Sequence, residues 1–208
     1  MGVLGAVMDA VEQSPEHQVA LQQAPLRGHA REYLRAFSME MTARGETSIV
    51  KADALKLIGS VSDRLHAAKQ FGETPDPREI LDELTKRHVL VRAAAGSFRF
   101  QHQQFQEFFA AGGLRAHLDG LVRANDSIED RKFLVSYVNE ARWGESLRLL
   151  AEDIGVSVGD KAGVEVGTKL VRMALEVDPI FAAELARWCG PSVWSEVREE
   201  MGRRLRLW

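Results

Sequence analysis

The residue types that could carry chemistry do not converge on a recognisable catalytic pattern. Six histidines stand at His17, His29, His66, His88, His102 and His117. None belongs to an H-E-x-x-H pair, the spacing that puts two imidazoles on one helix face for zinc. The single cysteine, Cys189, follows Trp188 in an apolar helical stretch. It reads as a small buried hydrophobe, with no Cys/His spacing around it that suits a metal. The carboxylate neighbours Glu129-Asp130 and Glu199-Glu200 fall in helical stretches, where adjacent side chains diverge by about 100°. They read as solvated faces rather than as an acid/base pair. There is no G-x-x-x-x-G-K-[ST] loop to cradle a triphosphate and no G-x-S-x-G nucleophile elbow. No nucleophile, base and stabiliser can be named together, so the chain reads as a non-enzyme with no cofactor or metal of its own. What stands out is His102, inside the dense aromatic run FRFQHQQFQEFFAA from Phe98 to Ala111.

The elements that would position this run are mainly helical. Val3, Val7, Ala10 and Val11 form one short apolar stripe, and Ser14-Pro15 reads as a cap followed by proline at a first helical position. Ala30, Tyr33, Leu34 and Phe37 share one face of a helix expected from Leu26 to about Arg44, with Gly45 as its left-handed stop. Val50, Ala54, Leu57, Ile58, Val61 and Leu65 keep the 3.6-residue period over Val50–Gln70. FGETPDPRE is a loop in which Asp76 caps a helix with Pro77 at its first position and Glu79 where a capping box places its acid. That helix carries Ile80, Leu81 and Leu84 and ends near Arg87. HVLVRA and SFRFQ then read as two strands joined by the turn AAGS, with Phe98 and Phe100 on one side. Helix, helix and hairpin in this order make a winged helix.

A helix restarts near His102, with Phe105, Phe108 and Phe109 on one face as core anchors. Beyond Gly120 the chain reads as stacked helices over Ser127–Asn139, Trp143–Ile154, Val164–Glu176, Asp178–Cys189 and Ser192–Leu207. Asp178-Pro179 is a cap-plus-proline start, and Gly190-Pro191 a stop and restart. Trp143-Gly144-Glu145 and Trp194-Ser195-Glu196 echo each other about fifty residues apart, near the spacing of helical-repeat units.

Composition bounds the function classes. The 208 residues are 45% hydrophobic, enough for a buried core, and the net charge is -3. The pI of about 6.1 argues against generic nucleic-acid affinity. No apolar run approaches the roughly 20 residues of a membrane helix. Asp9 interrupts the N-terminal apolar stretch, no basic region precedes it, and Ala6 stands where a myristoylation signal has Ser or Thr. One cysteine and no targeting signal fit the reducing cytoplasm.

The stretch LDELTKRHVLVRAAAGSFRFQHQQFQEFFAA, Leu81 to Ala111, resembles the end of the winged helix in NACHT-domain proteins, a branch of the STAND signal-transduction NTPases. The resemblance rests on Phe100, His102, Phe105, Gln106, Glu107, Phe108, Ala110 and Ala111. It extends weakly over GHAREYLRAFSMEMTARGETSIVKADALKLI, over NEARWGESLRLLAEDIG, and over LVRMALEVDPIFAAELARWCG, which is similar to a degenerate HEAT unit. It implies a mainly α chain: an N-terminal helical segment (1–44), a winged-helix domain with a small β-hairpin (45–120) and a HEAT-like helical array (121–208). It also implies a non-catalytic regulatory and sensing segment of a signalling NTPase, in bacteria one of antiphage or stress signalling. ADP and ATP would belong to the parent protein's NTPase core, expected upstream of Met1. His102 would be the nucleotide-binding position, reaching phosphates while the winged helix holds the resting state. Partners would be that core, further copies of the chain, and a sensed protein ligand. Without the resemblance, a histidine at a strand-to-helix junction reads as a local cap or half-buried polar group.

Two other classes remain open. One is a winged-helix nucleic-acid binder, against which the expected recognition helix sets Asp76, Glu79, Asp82 and Glu83 beside Arg78, Lys86 and Arg87, with only Arg92 and Arg99 on the hairpin. The other is a standalone helical scaffold for a partner protein.

Overall fold

A computed structural model describes residues 25–26, 28–70, 73–156 and 160–206. The stripe over Val3–Val11, the Ser14-Pro15 start and the terminal Leu207 and Trp208 lie outside the described residues, as do Phe71 and Gly72 of the loop. The chain divides into two compact units, one running up to Ala110 and the other from Ala111 onward. Each is mainly helical, and a small antiparallel sheet belongs to the first.

The first unit begins with helix α1, Ala30–Arg44, which buries Tyr33, Leu34, Phe37 and Met41 along one side. Gly45 ends it at φ 68°, ψ 27°. The Glu46 N–H donates to the Met41 carbonyl and the Gly45 N–H to that of Thr42, the paired bonds of a Schellman stop. The chain then forms a two-residue strand, β1 (Ile49–Val50), before helix α2 (Lys51–Ala67). Periodicity alone merges Val50 with the helix, because a two-residue strand is too short to show alternation. Helix α3, Pro77–Lys86, starts as expected: the Asp76 carboxylate accepts the Arg78 N–H at 2.8 Å and Pro77 needs no hydrogen-bond partner.

Strand β2, Leu90–Arg92, and strand β3, Ser97–Phe100, flank a tight 3-10 turn at Ala94–Gly96. Ala95 and Gly96 both take positive φ there, at 55° and 70°. The sheet order is β1-β3-β2, all antiparallel, with Ile49 opposite Phe98 and Leu90 opposite Phe100. Helix, strand, helix, helix, strand, strand, with the last strand in the middle, is the winged-helix arrangement. Phe98 and Phe100 turn into the core while Arg99 faces out, as their alternation requires. Helix α1, assigned by sequence to a segment of its own, shares one hydrophobic core with α2, α3 and the sheet. Its Tyr33 hydroxyl lies 2.9 Å from the Ser62 hydroxyl of α2, both buried. Burial pushes the Tyr33 phenol above its ordinary pKa, and this hydrogen bond offsets part of the rise.

Helix α4 spans Gln103–Ala124 and supplies its residues through Ala110 to the first unit and the remainder to the second. The second unit continues with α5 (Ser127–Phe133), which runs directly into a π-helical stretch at Leu134–Val138. A 3-10 turn, Ala141–Trp143, leads into α6 (Gly144–Val156). Three further helices follow: α7 (Lys161–Val177), α8 (Pro179–Cys189) and α9 (Pro191–Leu205). Asp126, Asp160 and Asp178 each cap a helix by accepting a backbone N–H two residues on. Gly190, at φ 88°, makes the sharp turn between α8 and α9 that a side chain would strain.

Helix α7 is the centre of this unit and is buried over most of its circumference, including Val166, Leu170, Val171 and Ala174. Gly167 lets its neighbours come close: a Cβ there would sit 2.8 Å from a Val193 methyl and 3.3 Å from the Cys189 sulfur. Arg148 of α6 grips Glu184 of α8 through two nitrogens, at 2.7 and 3.3 Å. The echo between Trp143 and Trp194 is not structural. Trp143 is 1% exposed and precedes its helix, whereas Trp194 is 45% exposed inside the first turn of α9.

Candidate functional site

His102 occupies the junction between hairpin and helix. On one side the Gln101 N–H donates to the Val89 carbonyl at 3.0 Å, extending the β2–β3 pairing by one bond. On the other, the His102 carbonyl accepts the Phe105 N–H at 3.1 Å as α4 begins. The imidazole is exposed and meets the Phe105 ring edge-on at 5.4 Å. The junction therefore fixes the backbone while presenting the ring to solvent beside a helix N-terminus, whose N–H groups favour anions.

The aromatic run after it divides its work. Phe109 is buried and stacks with Phe100 at 6.0 Å. Phe105 and Phe108 are only partly buried, packing on the edge of the core. The expectation that all three are core anchors holds fully for Phe109 alone. At about 100° per residue, Phe109 lies nearest the inward face that the buried Gln106 and Ala110 mark, and Phe105 and Phe108 lie successively further round the helix.

Gln106 is the residue that sequence reasoning undervalued. It is 8% exposed, and its side-chain amide donates to the Thr42 hydroxyl at 3.1 Å and to the Glu46 carbonyl at 3.2 Å. These bonds reach the C-terminal turn of α1 and the loop just beyond it. Gln106 thereby sets the register of the helix whose start carries His102. Its placement four residues after His102, between Phe105 and Phe109 of the apolar stripe, was the available signal.

On the surface a nucleic-acid binder would use, three of the cations are already paired with carboxylates. Glu83 pairs with Arg87 at 2.9 Å and with Lys86 at 3.4 Å, and Asp82 pairs with Arg92 at 3.2 Å. Arg44 at the end of α1 bonds Asp53 at 2.7 Å and also pairs with Glu40.

The remaining candidates from sequence fall apart as sites. Cys189 is buried, and burial pushes its thiol up to about 12, which favours the protonated form and suits the buried small hydrophobe expected. Glu129 pairs with Lys132 at 2.6 Å on the surface, as a solvated face would. Asp130 departs from that expectation. Both its oxygens lie 2.7 Å from the Lys169 ammonium of α7, in a pair with 17% and 29% side-chain exposure. Among the described residues, no group of three or more His, Cys, Asp or Glu side chains could hold a metal. No helix among them is long and apolar enough to cross a membrane.

Comparison with known proteins returned no matching family model, no matching curated protein and no matching solved structure. The class that the fold defines is thus a winged-helix unit followed by a helical unit, and the functional reading rests on the residues themselves.

Proposed function

We propose that this chain is the regulatory and sensing segment of a NACHT-type signalling NTPase, acting in the cytoplasm without catalysing a reaction itself. The winged helix holds the resting, nucleotide-bound state, and His102 donates to a phosphate oxygen of the ADP held by the NTPase core. The helical unit reads a protein signal, in a bacterium one of antiphage defence. The observation that carries this reading is the exposed His102 imidazole at a backbone-fixed strand-to-helix junction, beside a helix N-terminus. An imidazole N–H and the N–H groups of a helix N-terminus each suit a phosphate. A contact made in one state and lost in the other biases the equilibrium by its differential affinity. The acid-paired recognition helix supports the same reading by leaving little charge for DNA.

The test begins with the coding DNA around the chain, where a G-x-x-x-x-G-K-[ST] loop in the same frame or an adjacent gene is expected. ADP retention is then measured on the protein containing both parts. His102→Ala is expected to release ADP at least about tenfold faster, the equivalent of roughly 1.4 kcal/mol. A locus without a P-loop, or equal retention by the variant, overturns the proposal. The scaffold reading then takes its place, favoured by the exposed Ile180, Trp188 and Trp194 of the helical unit.

A further inference from the structure

A groove of about 820 Å³ runs along α7 in the second unit. It is walled by α5 and the end of α4, with Glu196 of α9 also lining it. Four observations there are independent of His102 and of the NTPase reading.

The first is an orphan. Thr168 lines the groove and is 7% exposed, and its hydroxyl has no hydrogen-bond partner. A buried hydroxyl without a partner costs free energy that a ligand's hydrogen bond would recover. Threonine in a helix has two accessible χ1 wells, so the hydroxyl can be turned to a ligand in the groove.

The second is the charge pattern. The cationic lining residues are Arg131, Lys161, Lys169 and Arg172. The anionic ones are Asp130, Glu165, Glu176 and Glu196. The groove is electrically balanced. A polyanion would meet its carboxylates and a polycation its ammonium and guanidinium groups. An apolar ligand would strand both, at the cost of desolvating charge. The matching occupant carries both signs.

The third is order. Along α7 the groove presents Lys161, then Glu165, then the Lys169–Arg172 pair of cations, then Glu176. From Lys161 to Glu176 the helix rises about 22 Å at 1.5 Å per residue. An extended peptide of seven residues covers about 20 Å, and its alternate side chains all face one way. Acid, base, acid, base at its odd positions therefore meets the four stations in turn.

The fourth is the readiness of the existing pairs to exchange. Arg131–Glu176 spans 3.5 Å and Arg172–Glu200 3.2 Å, all four side chains being well exposed. Exposed pairs of this kind contribute little to stability, so a ligand can replace them. The half-buried Lys169–Asp130 pair is the fixed point, and Leu134 beside it opens the π-helical stretch, a geometry frequent at functional sites.

We propose that this groove binds an extended peptide segment with alternating acidic and basic residues, held by the charge ladder of α7 and by the Thr168 hydroxyl. The full 208-residue chain is titrated by calorimetry with Glu-Ala-Lys-Ala-Glu-Ala-Lys and with the same residues in blocks, Glu-Ala-Glu-Ala-Lys-Ala-Lys. The alternating peptide is expected to bind at least about tenfold more tightly than the block peptide. Thr168→Val is expected to weaken it several-fold. Glu165→Lys, on an exposed position that leaves packing untouched, is expected to abolish the preference and to transfer it to Glu-Ala-Glu-Ala-Glu-Ala-Lys. Equal binding of alternating and block peptides, no binding of either, or no transfer in Glu165→Lys each overturns the proposal.

Discussion

At the scale of single residues, the motif around His102 separates a presented side chain from a structural one. His102 is exposed, and its ring touches Phe105 only edge-on. Gln106 is buried and its amide serves two acceptors on a distant part of the chain. Substitution should show the difference. His102→Ala is expected to change unfolding free energy by less than about 1 kcal/mol, as surface changes do. Gln106→Leu removes the donor from the Glu46 carbonyl and the Thr42 hydroxyl and is expected to cost about 1–3 kcal/mol. Urea unfolding of both variants checks this. A loss for His102→Ala equal to that for Gln106→Leu would make the histidine structural and remove its claim to be held ready for a ligand. The same two residues mark how far the site was legible. His102 stands out in sequence only through the family resemblance carried by the run from Phe100 to Ala111. Gln106 does not, because a glutamine inside an apolar stripe is indistinguishable from a solvated one until its acceptors, about sixty positions earlier, are folded against it. Thr168 and the Asp130–Lys169 pair were hidden for the same reason: their meaning depends on partners, or on lacking them, across thirty-nine residues in the pair's case.

At the scale of elements, what sequence carried well was local chemistry. Asp76-Pro77, Asp178-Pro179 and Gly45 announce their helix ends because a carboxylate cap, a ring-locked φ and a missing Cβ act within a turn of their own position. What it carried poorly was anything decided by a neighbour. Strand β1 exists because Ile49 and Val50 lie against Phe98 and Ser97, and two residues hold no period of their own. The π-helical Leu134–Val138 stretch keeps a helical apolar pattern and so reads as plain α-helix. The glycines of the helices show the same dependence on context and allow a paired test. Gly120 of α4 has nothing within 4 Å of an added Cβ. Gly120→Ala is expected to stabilise by up to about 1 kcal/mol through helix propensity. At Gly167 of α7 an added Cβ meets the Val193 methyl at 2.8 Å and an Ile154 methyl at 3.1 Å. Overpacking of about 1–3 kcal/mol there outweighs the propensity gain, so Gly167→Ala is expected to destabilise. Opposite shifts of the urea midpoint at constant slope are the expected outcome. Stabilisation at both sites would show that the α7 surface is looser than its close approach to α9 requires.

At the scale of the whole molecule, charge decides between partner classes that the winged-helix arrangement leaves open. That arrangement serves DNA when its third helix and wing bring unpaired cations to the phosphates, since affinity grows with the number of phosphates neutralised. Here the third helix carries Asp82 and Glu83 into ion pairs with Arg92, Arg87 and Lys86. A duplex approaching this face must either break those pairs or meet their carboxylates, and the net charge of -3 adds no long-range attraction. Fluorescence anisotropy of a labelled duplex at about 50 mM salt is therefore expected to stay flat up to about 10 μM chain, a concentration at which basic binding domains already associate without sequence preference. Glu83→Gln sharpens the measurement by removing the carboxylate that pairs with Lys86 and Arg87. If the wild-type chain binds, and the affinity falls linearly with the logarithm of salt, then the paired cations are recruited by phosphate after all. The surface of α3 would then be a nucleic-acid contact. If the wild type stays flat and Glu83→Gln gains salt-sensitive binding, the carboxylate itself is what excludes DNA. The unit then uses a winged-helix framework whose third helix is kept from DNA by a single acidic position.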